Sequence, residues 1–198
     1  HPVAGKLHAL DAEEIGDGVG QVDMAGQDAD LAVVADPSAI ADGPFPLVVY
    51  SHGSSGLRYI ASNYTEAIAS HGYVVAAPDH TGNTAAELVL NVEGDRAANS
   101  FNRPNDVIAV IDAMTDPTST ETVGFVAAVD PELVAVTGHS AGGYTTYAVA
   151  AGTETDLGPI VADPRVDAII TLAPASCGIS DEEFAAMTTP ALAIGGCG

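Results

Sequence analysis

The chain has 198 residues, enough for one well-buried domain and too few for two, and its 47% apolar content excludes disorder over most of its length. Only five Lys and Arg oppose 27 Asp and Glu, a net charge of −22 that repels nucleic acid and anionic membranes. No apolar run reaches the roughly eighteen residues of a transmembrane helix, so membrane insertion is not expected.

The first part of the chain gives weak signals, and a regular pattern follows it. Residues 1–44 are rich in Gly, Asp and Ala, with a weak strand signal in ADLAVVAD at 29–36. The apolar run FPLVVYSHG predicts a buried strand over 45–53. Helical spacing of Ile60, Tyr64, Ala67 and Ile68 predicts a helix over 58–72, and YVVAAPDH predicts a strand over 73–80.

The second half alternates in the same way. RPNDVIAVIDAMT predicts a helix over 103–115 that begins with a proline, with Val107, Val110, Ile111 and Met114 on one apolar stripe. Further strands are predicted over 133–140, 166–174 and 190–196, and a small-residue helix over 141–152. Apolar strands separated by helices predict one α/β domain over 1–198, with a mostly parallel sheet covered by helices on both faces.

The acidic residues and the two cysteines bear on where the protein works. The acids are scattered along the chain, which fits either an ordinary acidic protein or one adapted to high salt, where ions screen the self-repulsion. Cys177 and Cys197 follow two predicted strand ends, so a disulfide is expected, with two free thiols as the alternative. The start at His1 without Met indicates a trimmed product. We therefore expect a secreted protein, with a cytoplasmic protein of a salt-adapted organism as the alternative.

The segment VTGHSAGG at 136–143 carries the clearest chemical signal. Gly138-His139-Ser140-Ala141-Gly142 fits G-x-S-x-G and lies between a predicted strand and a predicted helix, which is the context of a nucleophile elbow. The glycines are needed because the serine occupies a sharp, strained turn. Ser140 is therefore the expected nucleophile, and the main-chain N–H of Ala141 is an expected donor to an oxyanion. A tight turn with a helix-capping serine is the structural alternative.

A second segment, SHGSSG at 51–56, ends the first clear strand. Its turn can aim the main-chain N–H of Ser54 at the same oxygen, which predicts a second oxyanion donor. Of the nearby histidines, His52 and His139 are expected to be structural rather than catalytic. His80 ends a strand, where it either lines the mouth of the pocket or is structural, and His71 beside Gly72 is expected to cap a helix.

Taken together, SHG, SHGYVVAAPDHTGNT, RPNDV and GHSAGG resemble the α/β-hydrolase superfamily. More narrowly, they are similar to bacterial platelet-activating-factor acetylhydrolase-like and dienelactone-hydrolase-like esterases, relatives of polyester hydrolases and cutinases. The resemblance implies the α/β-hydrolase fold and hydrolysis of carboxylic esters through an acyl-enzyme, with no cofactor and no metal. It maps the nucleophile onto Ser140 and the oxyanion donors onto Ser54 and Ala141.

The sequence departs from this pattern in its last part. Such enzymes run in the order Ser, Asp, His, yet none of the six histidines follows Ser140. Among the acidic residues after Ser140, Asp163 and Asp167 flank the start of a predicted strand, which is the wrong end of the sheet, and Asp181 is a predicted helix cap. None of these, nor Asp156, suits a triad. We expect the triad acid and histidine to follow Gly198, in a chain that is C-terminally incomplete.

Three functions remain open at this point. The first is a serine esterase for short acyl or aryl esters or polyesters, with Leu57, Tyr59 and Tyr144 as candidate pocket walls. The second is a non-catalytic or inactive binding module on the hydrolase scaffold, since a fold alone does not fix a function. The third is an amidase or thioesterase, because the same machinery serves esters and amides. The expected partner is a small-molecule or polymeric ester, and the oligomeric state stays open.

Overall fold

The computed structural model describes residues 19–23, 30–34, 43–119, 126–176 and 178–195. The strands are β1 (Val19–Asp23), β2 (Asp30–Val34), β3 (Phe45–Ser51), β4 (Val74–Pro78), β5 (Val129–His139), β6 (Thr153–Thr155), β7 (Gly158–Ile160), β8 (Val166–Leu172) and β9 (Ala191–Ile194). The helices are α1 (Ser62–Ala69), α2 (Ala85–Leu90), α3 (Arg96–Thr115), α4 (Ala141–Ala151) and α5 (Asp181–Ala186). Cys177 and Cys197 lie outside the described residues, so the disulfide stays a prediction.

One sheet of seven strands organises the fold, in the order β1-β2-β4-β3-β5-β8-β9. Five neighbouring strands run parallel to one another: β4, β3, β5, β8 and β9. At one edge β2 pairs antiparallel with β4, and β1 pairs antiparallel with β2. This confirms the predicted mostly parallel α/β sheet. Because the strands are parallel, the loops after β3, β4, β5 and β8 all leave the same edge of the sheet, where ligand sites of α/β folds form.

The apolar core divides between the two faces of the sheet, as β3 shows. Leu47 and Val49 belong to a cluster with α3 and α4, whereas Val48 and Tyr50 pack on the α1 side. Alternate residues of a strand point to opposite faces, so an apolar run on β3 fills both. The apolar stripe predicted on α3 is confirmed, since its members are all fully buried: Val107, Val110, Ile111 and Met114.

Helix α3 begins earlier than predicted, at Arg96, and contains Pro104 in its interior. The predicted start at residue 103 treated the proline as a first-turn residue, which is its usual helical position. In the structure Asp95 caps the helix, accepting a 2.7 Å hydrogen bond from the main-chain N–H of Ala98. Pro104 has no N–H to donate to the carbonyl of Ser100. That carbonyl instead accepts a 3.1 Å hydrogen bond from the Tyr144 hydroxyl on α4.

The predicted helix over 58–72 is shorter in the structure, and one member of its apolar stripe is misplaced. Ile60 precedes α1 and is 65% exposed, because residues 57–61 form turns that shape the rim of a cavity. The end of the helix is as predicted. His71 donates from Nδ1 to the carbonyl of Ala67 at 2.7 Å, and Gly72 takes the positive φ of 86° that ends the segment.

No helix among the described residues is long and apolar enough to span a bilayer.

The charge of −22 leads to a prediction about salt. Raising sodium chloride from about 0.1 M to about 1 M shortens the screening length from roughly 10 Å to roughly 3 Å. We expect the unfolding temperature to rise by at least about 4 °C over this range, because screening weakens repulsion between carboxylates. Scanning calorimetry measures it, and a constant or falling midpoint would contradict the prediction.

Candidate active site

Ser140 lies at the turn between β5 and α4, in a conformation that a non-glycine residue rarely adopts. Its φ is 54° and its ψ is −112°, and its side chain makes no capping hydrogen bond to the helix. Backbone strain of this kind persists only where the surroundings hold it. The Ser140 N–H donates to the carbonyl of Leu172 at 3.0 Å, and the Ser140 carbonyl accepts from the N–H of Ala175 at 2.9 Å. The loop after β8 thus clamps the turn.

The two glycines of the motif are required by sterics, as the sequence predicts. A Cβ on Gly138 would collide with the carbonyl of Gly142, and a Cβ on Gly142 would collide with the carbonyl of Ser51. The helix therefore starts directly against the end of β3, with no room for a side chain. A third glycine, Gly143, is close-packed in the same way, since its Cβ would lie 2.6 Å from Pro174.

Two cavities flank Ser140 at the carboxyl edge of the sheet. The Ser140 cavity, of about 490 Å³, has Ser140 itself in its wall and mixed apolar and aromatic lining that includes Ile60, Leu172 and the His139 ring. The Tyr144 cavity, of about 320 Å³, is lined by Ala141 and Tyr144 and by a largely polar set: Asn83, Glu93, Arg96, Asn99, Ser100 and Arg103.

Ser54 is common to both cavities, so it lies at the boundary between them. The structure thus brings together the three residues of the predicted nucleophile and oxyanion donors, Ser54, Ser140 and Ala141. Their catalytic roles remain predictions. Tyr144 lines a cavity as expected, whereas Leu57 and Tyr59 do not line either of these two.

His52 is fully buried, and its ring makes two hydrogen bonds to main chain. Nδ1–H donates to the carbonyl of Gly53 at 2.7 Å, and Nε2 accepts from the N–H of His80 at 3.2 Å. Burial, and next the charge of Arg103, lower the pKa of His52 to about 4, so the ring is neutral near pH 7. His52 shapes the loop and does not reach Ser140, in agreement with the structural role expected for it.

His80 is also fully buried, so it does not line the mouth of a pocket. Its Nδ1–H donates to Asp106 at 2.8 Å, and its Nε2 lies 2.8 Å from the Ser51 hydroxyl, which donates to it. Burial, Arg103 and the neighbouring His52 ring all hold the pKa of His80 well below its usual value. The Asp106–His80–Ser51 set has the hydrogen-bond order of a catalytic triad, but Ser51 is fully buried and lines neither the Ser140 cavity nor the Tyr144 cavity.

Arg103, from the RPNDV motif, is the residue that sequence reasoning missed. It is 3% exposed and donates to the ends of three different elements: to Thr145 on α4, to Asn83 after β4, and to Ser51 and the carbonyl of His52 at β3. Burial lowers its pKa to about 10, which leaves it charged at neutral pH. The one available signal was its rarity, as one of the four arginines of the chain.

Two of the acidic residues that follow Ser140 have structural partners. Asp163 makes a fork-shaped ion pair with Arg165, and Asp167 accepts from the N–H of Val134 at 2.9 Å. Asp181 is the first residue of α5 and not its cap, because Ser180 takes that position in a capping box with Glu183. Within the described ranges, no three His, Cys, Asp or Glu side chains cluster as metal ligands.

A family model described as platelet-activating factor acetylhydrolase, isoform II, matches residues 29–121 of the chain. The match runs from β2 to just beyond α3, so it includes Ser54, His80 and Arg103 and ends before the Ser140 turn. The relationship to this family and the geometry of the elbow are therefore two independent observations. The family match indicates a hydrolase of the α/β-hydrolase superfamily, and the geometry of the elbow is compatible with it.

Proposed function

We propose that this chain, an α/β-hydrolase related to the platelet-activating factor acetylhydrolases, hydrolyses carboxylic esters through an acyl-enzyme formed on Ser140. The observation that carries the proposal is the strained turn of Ser140 between two cavities, with φ at 54° and the hydroxyl not used as a helix cap. In this conformation the Oγ stands clear of the helix that follows it, where an ester carbonyl can approach.

The geometry fits a two-step acyl transfer. Ser140 Oγ attacks the ester carbonyl carbon, and the N–H groups of Ala141 and Ser54 stabilise the negative charge on the carbonyl oxygen. The tetrahedral intermediate then expels the alcohol, which leaves the acyl group on Ser140, and a water molecule releases the acid by the same route. The N-terminus of α4 adds its dipole to this stabilisation.

The proton of Ser140 needs a base, and the proposal assigns this role to a histidine outside the described residues. No histidine ring among the described residues hydrogen-bonds the Ser140 hydroxyl. His52 and His80 are committed to Gly53, Ser51 and Asp106. The order Ser, Asp, His of the enzymes that the sequence resembles supports this assignment.

The two cavities suggest where the acyl and alcohol parts of an ester substrate bind. The Ser140 cavity offers Ile60, Ala61 and Leu172 with aromatic rings, which suits a short acyl or aryl group. The Tyr144 cavity is more polar and suits the other half of the ester. Neither is an enclosed tunnel, so the repeating esters of a polymer are also proposed as substrates.

A phosphonate ester probe tests the nucleophile directly in the natural full-length protein. We expect covalent labelling of Ser140, found by peptide mass mapping, together with turnover of p-nitrophenyl acetate. Ser140→Ala should abolish labelling and reduce kcat by at least about 1000-fold. Ser70→Ala is the matched control: Ser70 lies at the exposed end of α1, where its hydroxyl bonds only local atoms, and activity should stay at the wild-type level.

Two other results would redirect the assignment. No labelling of Ser140 and no turnover above background by wild type or Ser140→Ala would leave a binding module on a hydrolase scaffold. Faster turnover of a p-nitroanilide or a thioester than of the matched oxygen ester would make the protein an amidase or thioesterase on the same machinery.

A further inference from the structure

Arg103 joins the two elements that carry the predicted oxyanion donors. Its Nε–H donates to Thr145 Oγ1 at 3.2 Å, and that hydroxyl donates to the carbonyl of Ala141 at 3.1 Å, within the first turn of α4. Its Nη2 donates to the carbonyl of His52, two residues before Ser54. A single planar guanidinium thus holds both donor segments.

A third connection reaches the Ser54 side chain. Arg103 Nη1 donates to Asn83 Oδ1 at 2.7 Å, and Asn83 Nδ2 donates to Ser54 Oγ at 3.2 Å. Arg103 is therefore linked to the Ser54 side chain through the Asn83 amide. The residues that link the two donor segments through Arg103 are all at most 5% exposed: Ser51, His52, Asn83 and Thr145.

Asp106 and His80 are connected to Arg103 through the Ser51 hydroxyl. Arg103 and Asp106 lie three residues apart on α3, so they project from the same face of the helix. The Ser51 hydroxyl accepts from Arg103 Nη2 at 3.3 Å and donates to His80 Nε2, and His80 passes the chain of hydrogen bonds on to Asp106. The Asp106–His80–Ser51 set thus anchors the arginine.

We infer that Arg103 is a positioning residue for the oxyanion hole: its fork fixes the distance between the N–H groups of Ser54 and Ala141. This inference rests on the proposed esterase function. Donors in such a site act only when they are held where the negative charge develops, and a shift of a fraction of an ångström weakens them. A lysine keeps the charge but has a single nitrogen, so it cannot hold the four acceptors of the guanidinium.

The test compares Arg103→Lys, Arg103→Met and Thr145→Val in the natural full-length protein, at a temperature where circular dichroism shows each variant folded. For Arg103→Lys we expect kcat to fall by about 10- to 100-fold with KM within about twofold of wild type. Thr145→Val is nearly isosteric and cuts only the link to Ala141, so a fall of about 3- to 10-fold is expected. Affinity for a trifluoromethyl ketone, which forms a tetrahedral adduct, should fall in parallel with kcat/KM.

Arg165→Lys is the matched control for stability. Arg165 also forms a fork with a carboxylate, at 2.9 Å from Asp163, but it precedes β8 at the opposite edge of the sheet from Ser140. This variant should lower the unfolding temperature and leave kcat unchanged, which would show that loss of a guanidinium fork elsewhere in the fold does not by itself reduce kcat.

Each remaining outcome gives a decision. Wild-type kcat in Arg103→Lys would overturn the positioning role, and if kcat fell only in Arg103→Met, the charge alone would be what matters. A rise in KM with kcat unchanged would make Arg103 a substrate-binding group. If Ser140 is not labelled and wild type turns over no ester, the esterase proposal itself fails and this inference with it. Labelling of Ser140 with an unaffected Arg103→Lys would sink the inference alone.

Discussion

Gly142→Ala is expected to lower the free energy of unfolding by at least about 3 kcal/mol, although alanine is the better helix former. On propensity alone the substitution in α4 would stabilise the helix by about 1 kcal/mol. However, the added Cβ would collide with the carbonyl of Ser51 and lie 2.9 Å from the carbonyl oxygen of His52. Both obstacles are main-chain atoms at the end of a buried strand, so neither can rotate away. The steric cost therefore exceeds the gain in helix propensity.

The same collision should disable the site in whatever fraction still folds. Ser51 and His52 lead directly into Ser54, so pushing them away from α4 separates Ser54 from Ala141. Urea unfolding measures the stability, and labelling of Ser140 by the phosphonate probe measures the site. Gly195→Ala is the control, because its Cβ would meet no atom within 4 Å, and a change of no more than about 0.5 kcal/mol is expected. Equal stability of Gly142→Ala and wild type would contradict the close approach of α4 to β3.

The elbow could be predicted from the sequence because its determinants are local. A strand, two glycines at fixed spacing and a small-residue helix all occur within 136–152, and the strain at Ser140 follows from that geometry. The parallel sheet was predictable for a similar reason, since buried parallel strands are apolar throughout.

The start of α3 and the environment of His80 were not predictable, because both depend on partners far away in the chain. Pro104 is tolerated inside a helix because the Ser100 carbonyl, to which it has no N–H to donate, accepts a hydrogen bond from Tyr144, which lies far away in the chain. His80 follows a strand end, where histidines often face a ligand. Here its ring meets Ser51 and Asp106, from two other elements, and only the assembled fold shows that they seal it from solvent.

The buried histidine pair leads to the second large prediction, a loss of stability in mild acid. The His52 and His80 rings pack against each other at a tilt of 54°, with their centres 4.8 Å apart, and Arg103 donates to the neighbouring Ser51 hydroxyl and His52 carbonyl. The pKa of His52 is lowered to about 4 and that of His80 well below its usual value. An unfolded histidine titrates near 6.5, so between pH 6.5 and the folded pKa the unfolded chain binds protons that the native protein does not.

The sign of the effect follows from this difference in proton binding. The stability contributed by the neutral pair is fully present above about pH 6.5 and is lost as the pH falls, at up to about 1.4 kcal/mol per pH unit for each ring. Lowering the pH from about 7.5 to about 5 should therefore reduce the free energy of unfolding by roughly 2 to 4 kcal/mol. Most carboxylates are still ionised in this range, so the histidines dominate the slope.

Urea unfolding at a series of pH values, at constant high salt, measures this slope. His52→Asn keeps a donor for the Gly53 carbonyl and removes one titrating ring, so it should be less stable at pH 7.5 and show a shallower fall toward pH 5. His71→Gln removes an exposed ring at the end of α1, away from the buried pair, and should keep the wild-type slope. If His52→Asn kept the full slope, or if wild type became more stable toward pH 5, the pair would not be held neutral. In that case a protonated His52 would turn a second N–H toward the main-chain N–H of His80, so that two donors would face each other beside the Arg103 cation.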